Sequence, residues 1–443
     1  MSDLDRVLVV GTGPVSIQTA LLLKTYAKSR VAIAGRESVR SASLFSSLSK
    51  SDQWIDVAVQ NEKHRKLAGR CRVDEVFHGL AAVTGRWDTV ILTVTTDAYI
   101  EALKQIDDQI LMSVKCIVLI SPTLGSNSLV RHYVKDIQPE AEVISFSTYL
   151  GDTRWTSNLP TNEVKTTGVK KKIYAGSSRT ASANLGKFRE LYGYIGIVLD
   201  VLGSPIEAES RNISLYVHPP LFMNDFSLRV VFKEEEVKKY VYKLYPEGPI
   251  TSQLIRDMRC YWKEISIMLE KMELSPVNLL KFMTDDNYPV RLESLSRHEI
   301  DHFTSLPPIH QEYLLYVRYA SLLIDPFSEP DHEGRYFDFS AVPIKQIFVN
   351  KEGNWDIPRM PKEDYYRIKM IQGMARITGS STPTLDNFIA TYESKVRDTF
   401  QRLKDERLSD AFIIQSFEEE WLRIGEQFAR HSLTSRSGGI GNG

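Results

Sequence analysis

The stretch Arg6-Val7-Leu8-Val9-Val10-Gly11-Thr12-Gly13-Pro14-Val15-Ser16 decides the fold of this chain. An apolar run that is broken by two glycines and followed by a helical pattern is typical of a βα turn that binds a dinucleotide. Gly11 lets the chain turn sharply off the strand. Gly13, which has no side chain, lets a pyrophosphate approach the N–H groups that open the next helix. The predicted cofactor contacts of this turn are Gly11, Thr12, Gly13, Pro14 and Val15.

The end of the second predicted strand, residues 30–34, indicates which dinucleotide is bound. NAD sites usually carry an acidic residue here, which accepts hydrogen bonds from the ribose 2′-hydroxyl. This chain has Arg36, followed by Ser38 and Arg40. A guanidinium pairs with a 2′-phosphate, so these residues predict NADP(H) as the cofactor. Glu37 leaves NAD(H) open, because its carboxylate could accept the 2′-hydroxyl instead.

Composition excludes several classes of protein. The chain has 443 residues, of which 42% are hydrophobic and 25% are charged, so it is an ordinary globular sequence too long for a single core. Its formal net charge of −1 gives no electrostatic reason to expect nucleic acid or a membrane surface as a partner. We find no bilayer-spanning run and no signal-peptide layout. Three widely spaced cysteines make no metal-ligand pattern and suit a reducing compartment, so we expect a cytoplasmic protein that binds no metal itself.

Strand and helix patterns alternate along the first third of the chain. Further apolar strands are predicted over residues 87–94, 116–121 and 142–147. This alternation is typical of a doubly wound parallel sheet, in which ligands bind at the carboxyl ends of the strands. Thr95 directly follows the first of these strands and is therefore a further predicted cofactor contact.

The pattern changes at about residue 185, where β-rich runs become scarce. Helices are predicted there over residues 233–244, 250–274, 308–323, 362–377, 384–402 and 409–431. Between the early strands, residues 41–60 are also predicted to be helical. We therefore predict an α/β chain made of a doubly wound Rossmann domain that binds NADP(H) over residues 1–184, a mainly helical substrate and catalytic domain over residues 185–432, and a disordered tail over residues 433–443.

The densest group of unusual side chains after the glycine turn lies at residues 211–225. His218 precedes two prolines there, which favours an extended or turning backbone at the histidine. An imidazole titrates near neutral pH and can pass protons. A lone histidine in an apolar stretch is, however, more often a core residue.

Four long motifs carry a further inference: GTGPVS at 11–16, FSTYLGDTR at 146–154, TGVKKK at 167–172 and YVHPPLFMND at 216–225. Together they resemble the staphylopine dehydrogenase family, which are opine dehydrogenases that make metal-scavenging opines. The resemblance extends to YKLYPEGP at 242–249, NYPVR at 287–291 and FDFSAVP at 337–343, and it covers the chain up to about Leu433.

The resemblance implies an NADPH-dependent reductive condensation. The amine of an aminobutyrate-extended histidine would join pyruvate or 2-oxoglutarate, and reduction of the imine would give a nicotianamine-like metallophore. His218 would move the protons together with a carboxylate, for which Asp152 is the first choice and Asp225 the second. Arg291 matches an arginine of opine dehydrogenases that act on simpler amino acids, but Ser296 stands where those enzymes carry an aspartate. That aspartate is therefore not assigned here.

Substrates with several carboxylates need cations and hydrogen-bond donors around them. The predicted substrate contacts are Arg154, Arg211, Tyr216, Asn224, Asp225 and Arg291. Tyr216 could stack on an imidazole or pack in the core, and Asp225 could begin a helix that Asn224 caps. A homodimer is the expected assembly.

Two other functions remain open on the residues alone. One is a simple NADPH-dependent 2-keto acid reductase of the ketopantoate reductase type, which would consume NADPH without an amine. The other is a protein that senses NADP(H) and has no turnover.

Overall fold

The computed structural model describes residues 3–287, 290, 294–321 and 340–426. The chain forms two compact units: the first contains the residues up to Asn212 together with Glu426, and the second runs from Ile213 to Gly425. The predicted tail at residues 433–443 lies outside the described residues.

A central eight-stranded sheet organises the first unit. The strands of this unit are β1 (Arg6–Val10), β2 (Arg30–Gly35), β3 (Trp54–Val59), β4 (Gly69–Arg72), β5 (Glu75–His78), β6 (Thr89–Leu92), β7 (Cys116–Leu119), β8 (Glu142–Phe146), β9 (Gly151–Trp155), β10 (Glu163–Val169), β11 (Lys172–Ser177) and β12 (Val198–Val201). The central sheet has the order β12-β11-β8-β7-β6-β1-β2-β5, and only the pairing of β8 with β11 is antiparallel. Because the chain leaves β1 towards both edges, the predicted doubly wound fold is confirmed.

Helices cover both faces of this sheet. They are α1 (Pro14–Leu22), α2 (Val39–Lys50), α3 (Tyr99–Leu103), α4 (Asp108–Leu111), α5 (Ser126–Val134), α6 (Ala183–Tyr194) and α7 (Pro205–Ser210). In β1, Val7 and Val9 enter one hydrophobic cluster, while Leu8 and Val10 enter the other. All four side chains are buried, which is why this strand reads as a continuous apolar run rather than an alternating one.

A smaller second sheet, of order β4-β3-β10-β9, was not predicted. Residues 41–60 were expected to form a helix, but α2 ends at Lys50 and β3 follows it. That prediction is wrong for its second half because Ile55 and Val57 alternate with exposed residues, which is strand periodicity.

The second unit is mainly helical, as predicted. Its helices are α8 (Ser214–Phe222), α9 (Asp225–Val231), α10 (Ser252–Lys271), α11 (Leu279–Lys281), α12 (Arg297–His302), α13 (Pro308–Ala320), α14 (Arg359–Ile377) and α15 (Pro383–Arg402), and its two short strands are β13 (Phe348–Val349) and β14 (Trp355–Asp356). Four of the six long helices expected from periodicity are confirmed as α10, α13, α14 and α15. Of the last one, 409–431, residues 410–412 and 418–426 are helical among those described.

The helix predicted over residues 233–244 is wrong. Lys233, just after α9, has a φ of +58°, a left-handed conformation that ends a helix. The residues after it form turns and isolated bridges instead.

The division between the units falls later than the sequence indicated. Most of helix α6 and all of strand β12 lie beyond residue 185, yet β12 pairs with β11 in the central sheet. The first unit therefore extends to Asn212.

The last helical residues of the second unit, 418–425, pack tightly against helix α14. A Cβ atom on Gly373 would overlap the indole ring of Trp421. Glycine is needed here because it leaves room for that ring, at some cost to the intrinsic stability of the helix.

We expect Gly373→Ala to lower the free energy of unfolding by about 1–3 kcal/mol, because the indole must move. Alanine at an unobstructed helix site should instead stabilise by up to about 1 kcal/mol. Gly186→Ala in α6 is the matched control, since its Cβ would meet nothing within 4 Å. Thermal denaturation of both variants checks the prediction, and a Gly373→Ala protein that melts no lower than the wild type contradicts it.

Candidate active site

The glycine turn between β1 and α1 is built as a phosphate cradle. Gly11 has a φ of +144°, and a Cβ there would overlap Thr93 Oγ1. Gly13 is the residue before α1, and a Cβ on it would meet nothing within 4 Å. Pro14 opens the helix without needing an N–H partner. The turn thus leaves open space at a helix N-terminus, where a pyrophosphate fits.

The carboxyl ends of three neighbouring strands frame this turn. Strand β1 lies between β2 and β6, with Val10 beside Ala34 and Leu92. The Thr93 hydroxyl donates to the Val10 carbonyl at 2.9 Å. Thr95 follows on the same edge, so the structure brings the predicted cofactor contacts of β1 and β6 together.

The loop from β2 to α2 offers a second anion site. Arg36 is exposed, and no ion pair joins it to another residue of the described ranges. Ser38 caps α2, because its Oγ accepts the Ser41 N–H at 3.2 Å. The side chain of Arg40 lies outside the description. A guanidinium beside a helix N-terminus is an arrangement that binds phosphate.

A buried carboxylate that sequence reasoning missed holds the loop after β7. Glu209 accepts the N–H of Gly125 at 2.8 Å and that of Asn127 at 2.7 Å. Its Oε1 also accepts the Ser145 hydroxyl at 2.9 Å. Burial raises the pKa of Glu209 to about 8, although these three donors oppose the shift. Glu209 therefore ties α7 to the loop that precedes α5.

His218 lies inside a helix, which contradicts the extended or turning backbone predicted for it. Helix α8 includes Pro219 and Pro220 within its length. The residue before a proline disfavours helical angles. Here the helix persists because seven of its nine residues are buried and it packs against α10 and α14.

The carboxylate beside His218 is Asp364 of α14. Its Oδ1 lies 3.5 Å from His218 Nδ1, and Asp364 is fully buried whereas the histidine side chain is 22% exposed. This separation is longer than a hydrogen bond. Within the described ranges, the buried atoms His218 Nδ1, Asp364 Oδ2 and Tyr261 Oη have no hydrogen-bond partner. Catalytic contacts of this kind are often long before substrate binds.

Two further groups surround this pair. The hydroxyl of Tyr261 stays neutral, because burial and the nearby Asp364 raise its pKa far above the usual range. The ring of Phe222 meets the imidazole edge-on, with centroids 5.3 Å apart. His218 is therefore held between an apolar ring and a buried carboxylate.

Asp152 and Arg154, predicted from the motif after β8, lie together on β9 of the first unit. Their side chains form an ion pair of 2.6 Å, and both are substantially exposed. The Thr167 hydroxyl also donates to Asp152 at 3.0 Å. Arg211 of the same unit lies 3.6 Å from Glu207. A catalytic role for Asp152 stays a prediction.

Two other predicted substrate contacts, Asn224 and Asp225, make polar contacts within the second unit, and their contacts with substrate stay predictions. Asn224 caps α9 by accepting the Ser227 N–H at 2.9 Å, and its amide donates to the Pro220 carbonyl at 2.8 Å. Asp225 is exposed and lies 3.4 Å from both Arg229 and Lys395.

Tyr216 is fully buried and packs edge-on against Phe282. Tyr216 therefore packs in the core, which is one of the two roles expected for it, and a contact with substrate stays a prediction. Arg291 lies outside the described residues.

The described ranges contain neither a metal-binding group of side chains nor a helix that could cross a membrane. No group of three or more His, Cys, Asp or Glu side chains there is placed to hold a metal ion. No helix in the same ranges has the length and apolar character that crossing a membrane requires.

Several known proteins are similar to this chain in sequence and in fold. The profile of the staphylopine dehydrogenase family matches residues 5–428. The chain is 46% identical to a staphylopine synthase of Staphylococcus aureus. The aligned region covers 94% of this chain and 96% of that protein. It is 36% identical to a pseudopaline synthase of Pseudomonas aeruginosa, covering 89% and 90% of the two chains. An NADP+-bound yersinopine dehydrogenase matches with a TM-score of 0.88 and 27% identity, covering 96% of this chain and 99% of that chain.

Alanine substitutions at the two turn glycines should have different effects, one on NADPH binding and the other on protein stability. We expect Gly13→Ala to raise the Kd for NADPH by about tenfold or more without lowering the melting temperature of the free protein, because its backbone is extended and the added methyl enters open space. Gly11→Ala should instead lower the melting temperature. Fluorescence titration and thermal denaturation measure the two effects, and unchanged NADPH affinity in Gly13→Ala would contradict the cradle.

Arg36 should determine the preference for the 2′-phosphate. We expect Arg36→Ala to raise the Kd for NADPH by about tenfold or more while that for NADH changes little, because one charge-assisted contact is lost. Lys50→Ala, at the other end of α2, is the control and should alter neither value. An unchanged ratio of the two Kd values in Arg36→Ala would refute the assignment.

Proposed function

Because the chain belongs to the staphylopine dehydrogenase family, we propose that it condenses an aminobutyrate-extended histidine with a 2-keto acid and reduces the product to a metallophore. The family resemblance of the sequence motifs is confirmed. The chain is an NADP(H)-dependent opine dehydrogenase, an oxidoreductase acting on CH–NH bonds.

The proposed site rests on one observation: His218 lies beside the buried carboxylate of Asp364. Nδ1 faces this carboxylate and is itself buried. The ring nitrogen left to contact substrate is therefore Nε2. A carboxylate on the far side of an imidazole orients the ring and stabilises its protonated form.

His218 would move two protons during condensation. The amine must lose a proton as its nitrogen bonds to the keto carbon, and the hydroxyl formed from the keto oxygen must gain one to leave as water. The imidazole can accept the first proton at Nε2 and pass it to the keto oxygen, which becomes that hydroxyl. A second proton, taken up by the imidazole from solvent, lets the hydroxyl leave as water. NADPH, when bound, supplies the hydride that reduces the resulting C=N bond.

The first unit would hold the cofactor. Gly13 and the N-terminus of α1 would take the pyrophosphate, and Arg36 with the N-terminus of α2 would take the 2′-phosphate. On the same unit, Asp152 is proposed as a catalytic carboxylate and Arg154 as a substrate contact. Asp152→Asn tests this, because unchanged kcat and KM for both substrates would remove Asp152 from the site.

Assembly and compartment are proposals of the same kind. The three cysteines are free thiols, which supports a reducing compartment such as the cytoplasm. We propose a homodimer, and light scattering of the purified protein would measure its mass.

The reaction is tested by following NADPH oxidation with pyruvate or 2-oxoglutarate, each with and without the aminobutyryl-histidine amine. We expect oxidation only when the amine and one keto acid are both present, and the productive mixture identifies the keto acid. Oxidation with keto acid alone would indicate a simple reductase. NADPH binding without oxidation in any mixture would indicate a sensor.

His218→Asn should abolish turnover, by about 10²-fold or more, while NADPH still binds, because general acid–base catalysis contributes on that scale. Asp364→Asn should lower kcat in the same direction. The control is His310→Asn, since His310 also pairs with a carboxylate, Glu299, at 3.0 Å. Normal turnover in His218→Asn would remove the catalytic assignment.

A further inference from the structure

Three charged residues of α14 are buried beside His218. They are Glu363, Asp364 and Arg367, with side chains that are 4%, 0% and 5% exposed. We call them the α14 charge cluster. Charged side chains are rarely buried to this extent unless they are paired.

One oxygen of the cluster, Asp364 Oδ1, faces the imidazole. Arg367 Nη1 donates to Asp364 Oδ1 at 2.6 Å, and the same Oδ1 lies 3.5 Å from His218 Nδ1. Arg367 also donates to Glu363 Oε1 through Nη2. The other oxygen of Glu363 accepts from Arg359 Nε at 2.5 Å. Glu363 and Arg367 therefore act on His218 through Asp364 and through space.

Glu363 stays ionised although it is buried. Burial would raise the pKa of Glu363, but Arg367, Arg359 and His218 outweigh it and hold that pKa below its ordinary value. Two carboxylates and one guanidinium then leave one net negative charge in the cluster. An imidazolium at His218 would cancel that charge, since charges interact strongly where water is excluded.

The charged and titratable groups on the other elements against α8 are neutral or already paired. On α10, Tyr261 is neutral, and Glu264 accepts the N–H groups of Thr384 and Leu385 at the start of α15. On α9, Asp225 and Arg229 are exposed and lie 3.4 Å apart. At the rim of α14, Arg359 pairs with Glu363 at 2.5 Å, but its side chain is 67% exposed, so solvent screens its effect on His218 more than that of the buried Arg367.

We propose that Glu363 and Arg367 are positioning residues that set the pH range over which His218 holds its proton, although neither takes part in the proposed contacts with substrate. The inference rests on the proposed role of His218. It predicts the direction in which each substitution moves the His218 titration, which a purely structural role would not. Removing a negative charge and removing a positive charge must displace the His218 titration in opposite directions.

The test compares Glu363→Gln with Arg367→Met in the full-length protein. Two readouts are used: the Cε1–H resonance of His218, assigned by its loss in His218→Asn, and the pH dependence of kcat/KM. Glu363→Gln disfavours the imidazolium, so the His218 titration should move to lower pH by about one unit. Arg367→Met favours the imidazolium, so the titration should move to higher pH by a similar amount.

Three controls keep the test decisive. Lys369→Met removes another buried α14 cation, which lies 3.6 Å from Glu393, and should leave the His218 titration in place. The resonance of His310 should not move in any variant. Arg367→Lys keeps the charge and should restore the wild-type titration if Arg367→Met moves it. Glu363→Gln is close in shape to the wild type and tests the inference even if Arg367→Met does not fold.

Opposite displacements of the His218 titration support the inference. Displacements in the same direction, or none in Glu363→Gln, overturn it. If the resonance moves as expected while the limb of the kcat/KM profile does not, the tuning of His218 is supported and its role in turnover fails. The two proposals are thus distinguished.

Discussion

Burial of the Asp364 carboxylate is the constraint on which the candidate catalytic site depends. Removing one partner of a buried charge pair costs about 3–5 kcal/mol, so a carboxylate without exposure must be matched by nearby groups. Arg367, one turn further along α14, supplies the direct partner at 2.6 Å. The imidazole of His218 comes from a different helix. Helices α8 and α14 must therefore pack closely enough to bring it within reach.

That packing explains a local conformation that sequence rules disfavour. His218 stands before two prolines, yet it is helical because α8 is buried along most of its length. A helix containing prolines loses backbone hydrogen bonds. The apolar contacts of α8 with α10 and α14 offset that loss, and they also fix the direction of the imidazole. Tertiary packing has here overridden a local preference.

The sequence predicts what is local and misses what is brought together by folding. The glycine turn and its strand could be recognised because Gly11, Gly13 and the apolar residues before them are adjacent in the chain. Asp364 could not be chosen, because it lies in a charged stretch of a predicted helix that resembles a solvent-facing surface. Asp152, the first choice from the sequence, follows a predicted strand, and its catalytic role stays a prediction. Nothing in the residues around His218 indicates which distant carboxylate it will meet.

Shorter elements were missed for a different reason. Strands β3, β4, β9 and β10 form a small sheet in which few residues are buried, so their hydrophobic signal is weak. The predicted helix after α9 failed at Lys233, whose left-handed backbone has no mark in the sequence. Lysine is not a residue that favours this conformation. Only the surrounding fold determines it.

A histidine that accepts and returns a proton within one reaction needs its two charge states to lie close in free energy. A lone buried carboxylate would hold the imidazolium firmly, whereas a fully neutralised ion pair would support it little. In the α14 charge cluster, Arg367 shares the charge of Asp364 and Glu363 adds a second negative charge further away. The electrostatic stabilisation of the imidazolium therefore comes partly from the near carboxylate of Asp364 and partly from the more distant carboxylate of Glu363. Apolar residues in place of such a cluster often make a protein more stable. The proposed proton transfer at His218 would therefore explain the cluster better than the stability of the helical unit does.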